Sequence, residues 1–151
     1  MSQIKYQQEF LDNVKDEALA LIKDHFEEVY PARHVYDLDM DWDTYRQLED
    51  MNLLKIFTAR DNKILVGYLW VIVSPNIHSK GSFVAADDGL FVAKSHRRDY
   101  VAINLIKFVE KCLKEDGFKV FHISGTEENP IDSLMNRMGY DKIEIKYQKV
   151  L

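Results

Sequence analysis

Apolar side chains recur at intervals of three and four along the first thirty residues of the chain. This spacing is typical of one face of an amphipathic helix. The predicted helix ends before Pro31, because a proline disfavours helical backbone in the residue ahead of it. The side chains that share the predicted face are Phe10, Val14, Ala18, Leu21 and His25.

A second, shorter helix is predicted over residues 42–50. Asp41 precedes it and is well placed to accept hydrogen bonds from the free backbone N–H groups of its first turn. The surrounding stretch, residues 37–43, contains four aspartates. These carboxylates can attract a cationic amine, or they can form an ordinary exposed turn, and the sequence leaves both readings open.

Two strands joined by a hairpin are predicted next. They span residues 53–59 and 64–73, with a turn at residues 60–63. The second strand is apolar at nearly every position, which is typical of a strand covered on both faces. Residues 75–82 are predicted to form a loop.

A third strand leads into a long helix. The strand is predicted over residues 82–86 and 89–93, with a bulge at the sequence Asp87-Asp88-Gly89. The helix is predicted over residues 100–115, because its apolar residues again follow helical spacing. Gly117 is the natural end of this helix.

The remaining pattern predicts a strand at residues 119–124, a short helix at residues 131–138 ended by Gly139, and a final strand at residues 142–149. The order of elements is therefore α-α-β-β-β-α-β-α-β. A hairpin-rich half favours antiparallel pairing and a β-α-β half favours parallel pairing. The sequence thus predicts an α/β fold with a mixed sheet, in a single domain over residues 1–151.

Composition and charge narrow the function classes. The chain has 151 residues, 46% of them hydrophobic, and a net charge of −5, which argues against broad nucleic-acid binding. Its one cysteine, Cys112, excludes an internal disulfide, and no Cys/His spacing indicates a metal site. No apolar run reaches membrane-spanning length. We therefore expect a cytoplasmic protein, with Cys112 in the core.

Two segments, residues 90–108 and residues 129–145, resemble segments of the Gcn5-related N-acetyltransferase (GNAT) family. The first is LFVAKSHRRDYVAINLIKF, residues 90–108. The family has Arg or Gln, two variable residues, Gly, one variable residue, and Gly or Ala, and this pattern begins here at Arg97 and ends at Ala102. The second is NPIDSLMNRMGYDKIEI, residues 129–145, which contains the Gly139-Tyr140 pair that usually precedes the last strand of the family. The likeness is to compact members found in bacteria and phages.

The resemblance implies a mixed central sheet of about five to six strands flanked by helices, and acetyl-CoA as the cosubstrate. In the family, backbone N–H groups at a helix start bind the CoA pyrophosphate, and the helix dipole favours its charge. Tyr100 occupies the usual glycine position, and Met135 stands where an aromatic residue is common. The residues that the resemblance assigns to the cosubstrate are Phe91, Val92, Arg97, Arg98, Asp99, Tyr100, Val101 and Ala102.

For the chemistry, the resemblance implies direct attack of an amine on a thioester, with an oxyanion held by a backbone amide near residues 91–93. We assign the role of general base to Asp88, and the next candidates are Asp87 and His78. The reason is that the crowding of the Asp87 and Asp88 carboxylates raises the pKa of one of them. Both aspartates can equally be solvated turn residues, and His78 can be an ordinary loop residue. Glu127 and Glu128 either select a cationic acceptor or help to cap the following helix.

Three functions remain open from the sequence. The first is an N-acetyltransferase acting on an amine of a small molecule or a protein. The second is a non-catalytic module that keeps the fold and binds CoA or a protein partner, and the third is an α/β protein whose Arg97 and Arg98 bind another anion. The resemblance adds a homodimer as a possible assembly; no nucleic-acid or membrane partner is expected.

Overall fold

The structure is a computed structural model that describes residues 3–151. One 3-10 helix, Lys94–His96, lies between the fourth strand and the third α-helix. The other elements, in chain order, are β1 Ile4–Glu9, α1 Leu11–Val29, α2 Trp42–Asp50, β2 Leu54–Asp61, β3 Ile64–Pro75, β4 Phe83–Val92, α3 Val101–Glu115, β5 Phe121–His122 and α4 Asp132–Met138.

The strands form one mixed sheet in the order β1-β2-β3-β4-β5. The first four pair antiparallel with their neighbours, and β5 pairs parallel with β4. The β2–β3 connection turns at Asn62 and Lys63, both with positive φ, as a tight hairpin requires. These features confirm the predicted α/β class, the mixed sheet and the hairpin.

Helices α1 and α2 cover one face of the sheet. The buried residues of α1 recur at helical spacing, and they pack against alternate residues of β2 and β3. Asp41 caps α2 as predicted, since its Oδ1 accepts a hydrogen bond from the Thr44 N–H at 3.0 Å. The core on this face contains Leu11, Val14, Ala18, Ile22, Leu54, Ile56, Tyr68, Trp70 and Phe91.

Helices α3 and α4 cover the opposite face. Alternate residues of β2 and β3 face α1 and α2, and the residues between them face α3 and α4. β3 is therefore covered on both faces, as its continuous apolar sequence predicts. Cys112 packs at the edge of this core, as expected. The fully buried members of this core are Phe57, Leu69, Val71, Ala85, Leu105, Ile106 and Val109.

Two differences from the sequence prediction concern the ends of the chain. The strand β1 was not predicted, because IKYQQE is largely polar. It lies at the sheet edge, where it pairs with β2, Tyr6 packs against Phe108 of α3, and Glu9 forms a salt bridge with Arg60. The strand predicted at residues 142–149 is absent, and those residues are exposed without regular structure. Alternating apolar side chains favour a strand, but a strand forms only where a neighbouring backbone can pair with it.

Candidate active site

A bulge in β4 creates the centre of the site. Trp70 pairs with Gly89 and Val71 pairs with Asp87, so Asp88 is an extra residue with no partner on β3. Such an insertion bends the strand and re-aims the side chains beside it. The structure therefore confirms the predicted bulge, and it places two adjacent carboxylates at the bend.

Asp88 contacts the α1/α2 face. The Tyr45 hydroxyl of α2 donates a hydrogen bond to Asp88 Oδ2 at 2.5 Å. Burial, followed by the charge of Asp88, raises the pKa of Tyr45. Tyr45 therefore stays protonated at neutral pH and acts as a fixed donor to the Asp88 carboxylate, which is otherwise exposed.

Asp87 is the more buried of the two carboxylates. Its Oδ1 accepts a hydrogen bond from the Ser124 N–H at 2.9 Å, just beyond β5. Burial raises the pKa of Asp87 to about 6, and the charge of Asp88 adds to the rise. The sequence predicts one raised pKa in this pair, and the structure assigns it to Asp87.

A histidine that the sequence analysis placed only on a helix face also belongs to this region. His25 Nδ1 lies 2.7 Å from the Tyr68 hydroxyl, and its ring stacks on Phe91 with 4.9 Å between centroids. Burial lowers the pKa of His25. A Cβ at Gly89 would approach His25 Cε1 to 3.2 Å, so a small residue is needed there. A polar residue on an otherwise apolar helix face was the signal that could have identified it.

Aromatic rings form a wall beside Asp88. Trp70 has Trp42 and Tyr45 as neighbours, with ring centroids 6.2 Å and 5.3 Å away. Trp70 is only 2% exposed, and within residues 3–151 its Nε1 is buried without a hydrogen-bond partner. Trp42 and Tyr45 are only partly buried, and accessible aromatic faces beside a carboxylate attract organic cations.

The chain after β4 makes a tight connection to α3. Tyr100 immediately precedes the helix and has a left-handed backbone, with φ 55°. This conformation explains why a glycine is usual at the position. Among residues 3–151, no side chain caps the start of α3, so its first backbone N–H groups are available to a ligand. Val101 is buried beneath them and Ala102 packs beside it.

Arg97 links two elements of the fold through its side-chain hydrogen bonds. Its guanidinium donates two hydrogen bonds to Glu28, at 2.8 Å and 2.9 Å, and its Nε donates to the Val92 carbonyl at 2.9 Å. It also lies 5.0 Å from the centroid of the Phe91 ring. These contacts tie α1 to the end of β4. Arg97, Arg98 and Asp99 are all exposed, so Arg97 is distinguished by its hydrogen bonds and not by burial.

A groove of about 400 Å³ runs beside Tyr100 between α3 and α4. Its lining includes two cationic side chains, Lys107 and Arg137, and one carboxylate, Glu110. Tyr100 and Ile103 line the groove, so it continues from the start of α3 along the face that carries Lys107.

Other sequence candidates lie apart from the bulge. His78 is exposed in the β3–β4 connection, beyond the pair Pro75–Phe83, which is four residues from the Val71–Asp87 pair. That separation is about 13 Å along the strands. Glu128 forms a salt bridge with Arg33 at 2.6 Å. Met135 is buried in the α3/α4 core and brings no polar atom to the bulge.

The outer edge of β4 is open next to the bulge. β5 pairs with β4 only at Ala85 and Ala86, and no described strand neighbours residues 87–92 on that side. An extended molecule with amide groups can hydrogen-bond to such an edge. If it also carries phosphates, the backbone N–H groups at the start of α3 can bind them. The residues present therefore fit acetyl-CoA.

Two further searches cover the described residues only. Between residues 3 and 151, no group of three or more His, Cys, Asp or Glu side chains is placed to hold a metal ion. Over the same residues, every helix is too short or too polar to cross a membrane.

Comparison with known proteins identifies relatives of this arrangement. A sequence model described as the acetyltransferase (GNAT) family matches residues 16–140, which confirms the resemblance seen in the sequence. No curated protein matches the chain significantly.

Solved structures share the fold at low sequence identity. An aminoglycoside acetyltransferase from an uncultured soil metagenomic sample has a TM-score of 0.76 and 17% identity, with 99% of each chain covered. The aminoglycoside N-acetyltransferase AAC(6')-Iy, solved in complex with CoA, has a TM-score of 0.73 and 19% identity, covering 99% of this chain and 96% of its own. A ribosomal-protein-alanine N-acetyltransferase from Brucella melitensis has a TM-score of 0.74 and 17% identity, covering 98% and 99%.

Proposed function

Because this chain belongs to the acetyltransferase (GNAT) family, we propose that it transfers an acetyl group from acetyl-CoA to a primary amine. The observation that carries the proposal is the open edge of β4, which leads from the carboxylates at the bulge to the uncapped start of α3. One continuous surface thus offers backbone hydrogen bonds, phosphate-binding groups and a proton acceptor.

The residues that would hold acetyl-CoA are the backbone of Phe91 and Val92, the first N–H groups of α3, and the Arg98 side chain. When bound, acetyl-CoA supplies an acetyl thioester for direct attack by the amine. Lys107 and Arg137 in the groove add positive charge for the nucleotide phosphates. Arg97 acts as a positioning residue, since its hydrogen bonds go to Glu28 and to the backbone.

The α1/α2 side of the bulge is the proposed acceptor site. It combines the aromatic wall with the Asp88 carboxylate, and the four aspartates of residues 37–43 lie just before and within the first turn of α2. This surface favours a cationic acceptor. The relatives named for aminoglycosides and for a ribosomal-protein alanine also take amines, so an amine on a small molecule or a protein is the acceptor class.

Asp88 is the proposed base. The amine nitrogen attacks the thioester carbonyl carbon, the carbon–sulfur bond breaks, and the sulfur leaves as the thiolate of CoA. Asp88 takes the proton that the amine loses, and Tyr45 holds the carboxylate in place. Asp87, with a pKa of about 6, is the second proton acceptor at the bend. Backbone N–H groups of β4 stabilise the developing charge on the carbonyl oxygen.

Calorimetry with acetyl-CoA, CoA and ATP tests the binding half of the proposal. Both CoA forms should bind and ATP should not bind comparably. Arg98→Glu should weaken acetyl-CoA binding at least tenfold, or about 1.4 kcal/mol. The matched control is Arg46→Glu on α2, where Arg46 pairs with Asp12 and affinity should not change. Equal affinities for wild type and Arg98→Glu would move the phosphate site elsewhere.

Kinetics with a panel of amines tests the chemical half. Release of free CoA thiol should depend on an amine, and Asp88→Asn should lower turnover by about 100-fold or more while acetyl-CoA affinity stays within twofold. Asp16→Asn, on the exposed side of α1, is the matched control and should retain full turnover. Unchanged turnover in Asp88→Asn would reject Asp88 as the base.

The second candidate function is that of a protein with the same fold that binds CoA but does not catalyse acetyl transfer. Its support is the left-handed tyrosine at position 100 and the buried methionine at position 135, both at places where the family usually has other residues. In that case the protein binds CoA, but no amine releases the thiol. Tight acetyl-CoA binding without turnover across the amine panel would favour it.

A further inference from the structure

The two adjacent carboxylates at the β4 bulge belong to opposite sides of the sheet. Asp88 accepts a hydrogen bond from Tyr45 of α2, so it lies on the α1/α2 side. Asp87 pairs with Val71, whose side chain packs in the α3/α4 core. Residues directly opposite each other in neighbouring strands place their side chains on the same face. Asp87 therefore lies on the α3/α4 side, and the bulge offers one carboxylate to each side of β4.

The surroundings of Tyr140 support this placement of Asp87. Tyr140 packs against the α3/α4 core. Burial and the hydrogen bond to Glu110 raise the pKa of Tyr140, and the charge of Asp87 adds to the rise. Since the interaction between two charged groups weakens with distance, this effect places the Asp87 carboxylate near Tyr140 and away from α2.

Ser124 contacts Asp87 at the point where β4 and β5 separate. The last pair between these strands is Ala86 with His122, and Ser124 follows two residues later. Its backbone N–H donates to Asp87 Oδ1 at 2.9 Å. Burial raises the pKa of Asp87, and the backbone N–H and the hydroxyl of Ser124 offset part of that rise, so the hydroxyl also lies near the carboxylate. Ser124 is exposed and borders the open edge of β4.

Ser124 differs from the tyrosines around the bulge. The hydroxyl groups of Tyr45, Tyr68 and Tyr140 are each hydrogen-bonded to another side chain, and Tyr68 is only 3% exposed. Ser124 is exposed, and the carboxyl group behind it is that of Asp87, whose pKa is about 6. A carboxyl group with such a pKa can give up a proton and regain it near neutral pH. Ser124 thus combines access to the open edge with a source of protons.

Acetyl transfer as proposed above leaves a thiolate sulfur that requires a proton. We propose that the Ser124 hydroxyl protonates the sulfur of the departing CoA and that Asp87 resupplies the proton to Ser124. The inference rests on the proposed acetyl transfer and assigns its second proton step. The O–H bond of Ser124 breaks as the S–H bond forms, and the carboxyl group of Asp87 passes its proton to Ser124 Oγ. Asp87 is left as a carboxylate and takes its next proton from the solvent.

The division of the two carboxylates suits this sequence of steps. The attacking nitrogen and the leaving sulfur occupy different positions on the same carbon, and each exchanges a proton with a different group. Asp88 on the α1/α2 side takes the proton of the amine, and the pair of Ser124 and Asp87 on the other side supplies the proton of the thiol.

Kinetics of single variants test the donor. Ser124→Ala should lower turnover roughly 100-fold, whereas Ser124→Thr keeps the hydroxyl and should stay within about threefold of the wild type. Ser133→Ala is the matched control, because Ser133 is an exposed serine of α4, and it should retain wild-type turnover. Full turnover in Ser124→Ala would overturn the assignment and leave acetyl transfer standing. A wild type that releases no CoA thiol with any amine would reject acetyl transfer and, with it, the role of Ser124.

A double-mutant cycle tests the supply of protons by Asp87. Asp87→Asn keeps an oxygen that can accept from the Ser124 N–H, but its amide cannot supply the proton, so turnover should fall as in Ser124→Ala. The double variant should be no slower than the slower single variant, because both changes interrupt the same proton path. Losses that multiply would show that Asp87 acts separately and would overturn its assignment. Circular dichroism establishes that the variants are folded.

Binding without turnover provides a measurement that a purely structural role of Ser124 would not change. Calorimetry compares CoA with desulfo-CoA, in which a hydrogen atom replaces the thiol. Ser124→Ala should weaken CoA binding about threefold and leave desulfo-CoA binding unchanged, because the lost hydrogen bond is to the sulfur. Equal weakening of both ligands, or of neither, would place Ser124 away from the sulfur and overturn the proposal.

Discussion

The two sides of the sheet differ in how completely their backbones are paired. On the antiparallel side, β2 and β3 share eight residue pairs and β3 and β4 share nine. On the parallel side, β4 and β5 share two. Helices cover both faces of the antiparallel side, whereas the parallel side ends in the short strand β5, and residues 141–151 are exposed without regular structure.

The difference separates the part of the sheet that stabilises the fold from the part that contains the proposed site. Where pairing is extensive, the strands hydrogen-bond to one another along most of their length, and the side chains of two cores pack against them. Where pairing stops, within the part of the chain that the structure describes, the edge of β4 beyond Ala86 has no neighbouring strand, and the proposed cosubstrate would bind there. The proposed site lies at the boundary between these two parts of the sheet. There the bulge in β4 places Asp87 and Asp88 beside the unpaired edge of the strand.

The largest expected effect is on the free energy of unfolding, and it is found by truncating one phenylalanine on the antiparallel side and one on the parallel side of the sheet. Phe57 is fully buried in β2, so Phe57→Ala should lower the free energy of unfolding by about 3–5 kcal/mol. Phe121 in β5 is only partly buried, so Phe121→Ala should cost about 1–2 kcal/mol. Urea denaturation measures both, and equal losses would mean that the edge is packed as firmly as the centre.

The second prediction concerns the carboxylate at the boundary. Burial raises the pKa of Asp87 from 3.8 to about 6, so the folded state holds its proton more tightly than the unfolded chain. The stabilisation is complete below pH 4 and is lost as pH rises to 6, an effect of about 2–3 kcal/mol. Asp87→Asn should remove this loss, because its amide oxygen can still accept from the Ser124 N–H.

Unfolding curves measured from pH 3.5 to pH 7 check this. The variant should be more stable than the wild type at pH 7, and the difference should vanish near pH 3.5. Asp16→Asn on α1 should follow the wild-type curve. A wild-type slope retained in Asp87→Asn would assign the titration to another group.

The third prediction separates two adjacent arginines. Arg97→Ala loses the paired hydrogen bonds to Glu28 and the bond to the Val92 carbonyl, and it should lower stability by about 1–2 kcal/mol after allowance for its exposure. Arg98→Ala should change stability by less than about 0.5 kcal/mol. Thermal melts of both variants provide the comparison. A reversed order would make Arg98 the structural residue.

The smallest effect concerns the turn before α3. Tyr100 has φ 55°, a conformation that costs a residue with a side chain about 1 kcal/mol relative to glycine. Tyr100→Gly should therefore raise the free energy of unfolding by about 1 kcal/mol, as measured by denaturation. Tyr100→Ala keeps the Cβ and should give no such gain. If alanine stabilises equally, the ring rather than the backbone is the source of the strain.

Local patterns predicted the parts of the fold that depend on nearby residues. The apolar face of α1, the Asp41 cap, the hairpin at residues 60–63 and the bulge at Asp88 are all present. Each follows from neighbouring side chains or from backbone preferences of single residues. The motif beginning at Arg97 also indicated the family, which the sequence match confirms.

The two ends of the chain show where such patterns are insufficient. β1 forms despite a polar sequence because β2 offers it a backbone to pair with. Residues 142–149 have no regular secondary structure despite a strand-like sequence, and they pair with none of the five strands that the structure describes. Strand formation depends on a partner that a one-dimensional pattern does not contain.

By itself the sequence determined the class of fold and the family. Only the tertiary structure decided that Arg97 binds Glu28, that Asp87 carries the raised pKa and that His25 joins Tyr68. These partners are distant in sequence, as Arg97 and Glu28 are 69 positions apart. The environment of a charge is set by burial and by groups brought together through folding, and neither is written in the local order of residues.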